Sequence, residues 1–393
     1  MLGKKVRLWS VVAAIYLGGC TSIDLETGFL RDEDIHRQIL DQVSDSYPEI
    51  DTLYISDEIK QLVDSHLNRR DSDATKINKL QEILYDEELL NIQYSNEQTH
   101  TAVEAYLARE GNCLSVMNLY VAMARYAGVE ARFQTMRVQP NWDRRGSLLV
   151  LSQHINATGK LAGNTYYVVD FTPEIALQQL TARTVTDLDS RALYFNNLGA
   201  EALIAEHADE ALAYFKNALF LDPGLSIAWN NIGTTYNRLG NPSFAEYSYE
   251  MAFNTDNSNA TSINNLAKFY RGAGNTRLAR EYEIAIQRFN NRNPYYHYAQ
   301  GAIAMQAQDH EAARRSFHRA IHLKEFEPDF YIALASVYVA LGDPEEAQKM
   351  RDSAENVLAE NQQIYRPSDQ KVRIIDPDTI LRSSSPGLRI IFN

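Results

Sequence analysis

Three residues of this chain could do nucleophilic chemistry together: Cys113, His154 and Asp170. A thiolate attacks carbonyl carbon, an imidazole takes the thiol proton and returns it to a leaving group, and a carboxylate orients the imidazole. The sequence has two cysteines, and the other one, Cys20, closes a short apolar leader. Cys113 is therefore left without a disulfide partner. A lone thiol in an oxidising compartment is a liability unless it is buried or used. No cluster of His, Cys and Asp has ligand spacing, so neither a metal nor another cofactor is expected; His36, His66 and His100 read as surface residues.

The local pattern says how such residues would be held. Gly111 and Asn112 are turn and cap residues. After Cys113, the residues Met117, Tyr120, Val121, Ala124 and Ala127 recur at helical steps until Gly128. Cys113 should thus begin a helix, where unpaired N–H groups and the macrodipole favour negative charge. The period then changes. Val129 to Thr135 alternates like a strand, Pro140 to Gly146 reads as a loop, and Leu148–Ile155 and Thr165–Phe171 read as two more strands joined by a turn from Asn156 to Asn164. His154 falls on one of these strands and Asp170 at the end of the next. Upstream, Ile59, Leu62, Val63 and Leu67 mark one amphipathic helix, and Ile77, Leu80, Ile83 and Leu84 another.

Gly111-Asn112-Cys113 opening an apolar helix, Ala127 to Arg132 closing it, and then a His and an Asp on successive strands resemble the transglutaminase-like fold over about residues 90–175. That family shares a Cys-His-Asp triad with papain-like thiol proteases. The resemblance implies Cys113 as nucleophile, His154 as general base and Asp170 as its orienter. Many members carry Trp two residues after the His, where this chain has Asn156. Tyr94 and Gln98 are the candidates for a side-chain oxyanion donor.

Residues 1–19 read as a secretion signal. Lys4, Lys5 and Arg7 precede the apolar run Leu8 to Leu17, which is too short to span a bilayer. Leu17-Gly18-Gly19-Cys20 resembles the bacterial lipobox. That resemblance implies a lipid on Cys20 and attachment to the membrane; a plain signal or an uncleaved anchor is the alternative. Thr21 in place of Asp resembles the outer-membrane sorting rule, which implies a site facing the periplasm. Residues 20–45 are expected to be a tether and 46–185 the thiol domain. The formal charge of -13 argues against nucleic acid as a partner.

Residues 190–361 carry an internal repeat. Starting at Ala192, Ser226, Ala260, Pro294 and Pro328, the step is 34 residues throughout. This period resembles the tetratricopeptide repeat, a helix–turn–helix unit. Position 8 is Gly199, Gly233, Ala267, Gly301 and Ala335, and position 20 is alanine in all five. The fold expected is an α+β transglutaminase-like domain followed by an all-α tetratricopeptide-repeat solenoid. Position 6 carries Asn197, Asn231 and Asn265. In the family resembled, position 6 faces the concave groove, where an amide could pair with the main chain of an extended peptide; a purely local structural role is equally open. Residues 362–393, with Pro367, Pro377 and Pro386, read as an extended tail. Two functions fit: an envelope lipoprotein that hydrolyses or transfers amide acyl groups and binds peptide through its repeats, or a non-catalytic envelope scaffold.

Overall fold

The computed structural model describes Leu25 and residues 27–40, 49–95, 97–145, 148–161, 166–170, 183–257, 260–364 and 372–375. The leader and Cys20 lie outside the described residues. In chain order the first half contains α1 (Glu33–Leu40), α2 (Asp57–His66), α3 (Asp73–Tyr85), β1 (Gln93–Tyr94), α4 (Ala102–Ala108), β2 (Glu110–Gly111), α5 (Cys113–Tyr126), β3 (Arg132–Arg145), β4 (Leu148–Lys160), β5 (Tyr166–Val169) and β6 (Arg183–Val185). Helix α5 is its centre. Every residue from Leu114 to Ala124 is buried, so this helix is enclosed on all sides, as its nearly unbroken apolar sequence requires. Helices α2, α3 and α4 pack on it, and so does β4 of the sheet.

The larger sheet has the order β6-β3-β4-β5-β7, all pairs antiparallel, with β7 (Val372–Ile375) contributed by the C-terminal region. Three sequence expectations are corrected here. Residues Asn156 to Lys160, read as part of a turn, extend β4 and pair with β3 and β5. The segment Pro140 to Arg145, read as a loop, is the far part of a long β3–β4 hairpin running to Arg145↔Leu148. A register shift between Met136 and Asn141 takes up Pro140, which has no N–H to give a ladder. The region 362–393, read as wholly extended tail, continues α15 to Ile364 and then supplies β7, which covers the edge of β5 from Tyr166↔Ile375 to Val169↔Val372. Without it, β5 would present a row of unpaired backbone groups.

The second half consists of helical pairs: α6 (Asp187–Ile204) with α7 (Ala208–Leu221), α8 (Ser226–Arg238) with α9 (Pro242–Thr255), α10 (Ala260–Gly272) with α11 (Thr276–Arg292), α12 (Pro294–Gln306) with α13 (His310–Leu323), and α14 (Pro328–Leu341) with α15 (Pro344–Ile364). Repeat starts at Ser226, Ala260, Pro294 and Pro328 are the first residues of their helices; α6 begins five residues before Ala192. The turn inside each pair has a left-handed residue at position 15: Glu206, Gly240, Gly274, Gln308 and Gly342, with φ of 66°, 72°, 76°, 60° and 79°. The small position 8 is explained by what faces it. A Cβ on Gly199, Gly233 or Gly301 would lie 2.5, 2.7 or 2.6 Å from the ring of Phe215, Tyr249 or Phe317 at position 24. The third and fifth repeats have Glu283 and Arg351 at position 24, and there position 8 is alanine.

The thiol half and the first three repeats share one hydrophobic core, from Ile39 through α5 to Ile286; the last two repeats hold a smaller one around Phe317 and Leu334. Arg125 on α5 forks onto Asp187 at the start of α6, at 2.6 and 2.8 Å. Residues 27–40, expected as tether, instead lie over α8 and α9. Phe29 meets Tyr247 at 5.5 Å between ring centroids, and His36 meets Trp229 at 5.2 Å. His36 Nδ1 is 3.0 Å from the Tyr247 hydroxyl, and Ile39 is fully buried. His36, expected at the surface, is therefore half-buried. Burial lowers its pKa, and Arg31 acts in the same direction against Glu33.

Two predictions follow from this packing. Glu206 and Gln308 hold a conformation that costs a side-chain-bearing residue about 1–2 kcal/mol, partly offset by the larger entropy loss of glycine. Glu206→Gly and Gln308→Gly should each stabilise the protein by about 0.5–1 kcal/mol in denaturant unfolding, and an unchanged midpoint would contradict the strain. For His36, a depressed folded pKa means that the neutral ring supports docking above the ordinary value of 6.5. That support is lost as pH falls below it. Hydrogen exchange in residues 27–40, corrected for intrinsic rate, should rise between about pH 7.5 and 5.5 in the native protein. It should not rise in His36→Phe; an equal rise in both removes His36 as the cause.

Candidate active site

The turn that carries Cys113 is fixed from both directions. Helix α4 starts with a capping box between Thr101 and Glu104 and ends with Arg109 in the left-handed region at φ 54°. That reversal sends the chain into β2, which pairs in parallel with β1, Tyr94 opposite Gly111. Gly111 has no room for a side chain: a Cβ would lie 2.6 Å from Ser115 Cβ. Asn112 then caps α5. Its Oδ1 accepts from the Ser115 N–H at 3.0 Å and from the Ser115 hydroxyl at 3.0 Å. The Ser115 Oγ in turn accepts from the His100 N–H at 2.8 Å, and Asn118 Nδ2 donates to the His100 carbonyl at 3.1 Å. Cys113 is the first residue of the helix, half-buried, with a free thiol.

Asp170 follows β5 directly and is 2 % exposed. The β4–β5 ladder runs Ala157↔Val169, which brings Asn156 level with Asp170, and Asn156 Nδ2 donates to Asp170 Oδ2 at 3.4 Å. The position after His154 that carries Trp in many transglutaminase-like proteins here supports the carboxylate instead. His154 sits two residues earlier on β4, its backbone paired with Met136; its imidazole lies outside the described side chains. Cys113 and Asp170 both act electrostatically on Tyr85 at the end of α3. The Tyr85 hydroxyl is enclosed although the residue as a whole is half-buried. Burial raises its pKa well above the usual phenol value, and the charges of Asp170 and Cys113 push it further the same way. Sequence reasoning missed Tyr85, whose only signal is its place closing the apolar face of α3. Tyr94 is 47 % exposed and Gln98 is exposed. Among the described residues no group of three His, Cys, Asp or Glu could hold a metal ion.

The asparagines of the repeats form a ladder between repeats. Asn231 Nδ2 donates to Asn196 Oδ1 at 3.0 Å, and Asn265 Nδ2 to Asn230 Oδ1 at 2.9 Å. All three position-6 residues, Asn197, Asn231 and Asn265, are half-buried. Each of the last two spends one N–H on the preceding repeat and keeps its carbonyl oxygen and a second N–H. The acceptors sit at position 5, and the doublets Asn196-Asn197, Asn230-Asn231 and Asn264-Asn265 were the sequence signal for them.

Comparison with known proteins agrees with this architecture. Residues 60–171 match the family model of the transglutaminase-like superfamily, and residues 328–350 match a tetratricopeptide repeat. No curated protein matches the chain. Among solved structures the chain is similar to MamA at 18 % identity, over 45 % of this chain and 97 % of that one, with a TM-score of 0.26. It is similar to YrrB, described as a TPR protein with an unusual peptide-binding site, at 18 % identity over 44 % and 88 % of the two chains, TM-score 0.24. Pseudomonas aeruginosa pilF stands at 17 % identity over 43 % and 78 %, TM-score 0.26. At such scores these likenesses add nothing to the family matches. Cys113 and Asp170 therefore lie in a transglutaminase-like domain, and tetratricopeptide repeats follow it in the same chain.

Proposed function

We propose that this protein is a thiol-dependent amide hydrolase or acyltransferase of the bacterial envelope. The observation that carries the reading is Cys113 as first residue of the buried helix of a transglutaminase-like domain, with Asp170 buried at the end of β5 and held by Asn156 of the strand that carries His154. Cys113 attacks an amide carbonyl and His154 takes the thiol proton. The tetrahedral oxyanion is held by the backbone N–H of Cys113 at the helix start. Collapse expels the amine, which receives the proton from His154, and leaves a thioester on Cys113. Water then gives a carboxylic acid, or an incoming amine gives a new amide. Asp170, held by Asn156, keeps the imidazole in the productive tautomer.

The rest of the chain places this chemistry. A lipid on Cys20 would hold the domain close to the membrane, because Phe29, nine residues on, already packs against Tyr247. The repeats would bind a protein or an extended peptide segment, with the remaining amide groups of Asn197, Asn231 and Asn265 pairing with its main chain.

One set of cells tests these parts. Envelope proteins serve as acyl donors, and ammonia release and incorporation of a fluorescent amine are the readouts. The native protein should turn over, Cys113→Ala should not, and His154→Ala should lose roughly 10²–10⁴-fold. Turnover by Cys113→Ala at the native rate would contradict the reading. Cys20→Ala should move the protein to the soluble fraction, and its retention with membranes would remove the lipid anchor. Replacing the three asparagines with alanine should reduce capture of envelope proteins, and equal capture would remove the groove reading.

A further inference from the structure

The thiol site is connected to the repeats by a short chain of part-buried hydrogen bonds. Asn112, the cap of the Cys113 helix, donates through Nδ2 to Thr99 Oγ1 at 2.7 Å. Thr99 donates in turn to Glu201 Oε1 at 2.6 Å. Glu201 stands on α6, at position 10 of the first repeat, outside the transglutaminase-like match and 88 residues after Cys113. Thr99 is 4 % exposed, so water does not compete freely for its hydroxyl.

The direction of each bond matters. A threonine hydroxyl has one proton and two lone pairs. The Glu201 carboxylate can only accept, so it takes that proton in a short charge-assisted bond. The lone pairs of Thr99 are then the only groups it can offer Asn112, and they select the amide NH₂. This orients the other end of the amide, Oδ1, towards the Ser115 N–H and the start of α5. Remove the carboxylate, and the Thr99 hydroxyl is free to turn its proton towards Asn112. The amide can then flip, which sets NH₂ against the N–H groups of the helix start. On the other side the turn is held through Ser115 and Asn118 to the backbone of His100, and ahead of Asn112 by the pairing of β2 with β1.

We propose that Glu201 is a positioning residue for Cys113, acting through Thr99 and Asn112, so that the first repeat is part of the thiol site. This rests on the reading of Cys113 as nucleophile. One consequence is that a protein bound to the repeats that shifts α6 changes the reactivity of Cys113.

The test uses the full chain and two readouts. The first is hydrogen exchange at the Ser115 amide, which donates to Asn112 Oδ1 and reports the turn whatever the thiol does. The second is the rate of Cys113 modification by iodoacetamide at neutral pH, followed by mass spectrometry. Glu201→Ala and Thr99→Val should speed Ser115 exchange and slow the alkylation by about tenfold, since small misplacement of a reacting group costs up to a hundredfold. Glu201→Gln and Thr99→Ser keep an acceptor and a hydroxyl at the same places and should restore both. Two results would overturn the proposal: native behaviour in Glu201→Ala, or a Glu201→Gln variant as impaired as Glu201→Ala, which would mark a general loss of packing. If Ser115 exchange responds as expected while native Cys113 reacts no faster than in urea, the positioning stands and the nucleophile reading fails.

Discussion

The constraint on which the rest depends is the burial of α5 from Leu114 to Ala124. A helix enclosed along eleven consecutive residues, Leu114 to Ala124, can neither slide nor rotate without opening the core. Its first residue is then a fixed point in the molecule. Placing the thiol there gives Cys113 a defined position at no cost in local flexibility. The turn before it is equally determined: Gly111 is chosen by lack of space, and Asn112 by the need to satisfy N–H groups at the helix start. A helix of this kind must be covered, and the cover is what the remaining elements supply: α2 to α4, the sheet, and through Arg125–Asp187 the first repeat.

That cover also explains why the two halves are not independent bodies joined by a linker. They share one core as far as the third repeat. Residues 27–40 cross from the start of the chain onto α8 and α9, and β7 returns from beyond the last repeat to the edge of β5. The strand that leads into Asp170 is therefore paired on one side by β4, which carries His154, and on the other by the C-terminal strand. The transglutaminase-like domain and the first repeats thereby share one scaffold.

Much of this was legible in the sequence. The Cys113 helix showed itself because its period, its cap and its terminating glycine agree with one another. The repeats showed themselves because a small residue at position 8 recurs every 34 residues, held to glycine where a ring faces it at Gly199, Gly233 and Gly301. What was missed depends on contacts distant in sequence. No local pattern says that Val372–Ile375 will find β5, that Phe29 and His36 will find Tyr247 and Trp229, or that Thr99 will find Glu201. The long β3–β4 hairpin was hidden by Pro140, Arg144 and Arg145, which read as loop chemistry but are tolerated at a register shift and beyond it. For the repeat asparagines the sequence leaves a groove role and a structural role equally open; two of them bind the preceding repeat, a duty visible only once neighbouring repeats are stacked.

The central claim is that Cys113 is chemically served by His154. The most direct measurement compares alkylation of Cys113 by iodoacetamide at neutral pH in the native protein and in His154→Ala, with equal melting temperatures established first. The account predicts that loss of the imidazole slows the reaction by about tenfold or more, because a thiol without its base is a weaker nucleophile. Equal rates in the two proteins would contradict it, and would leave Cys113 as an unassisted thiol at the start of a structural helix.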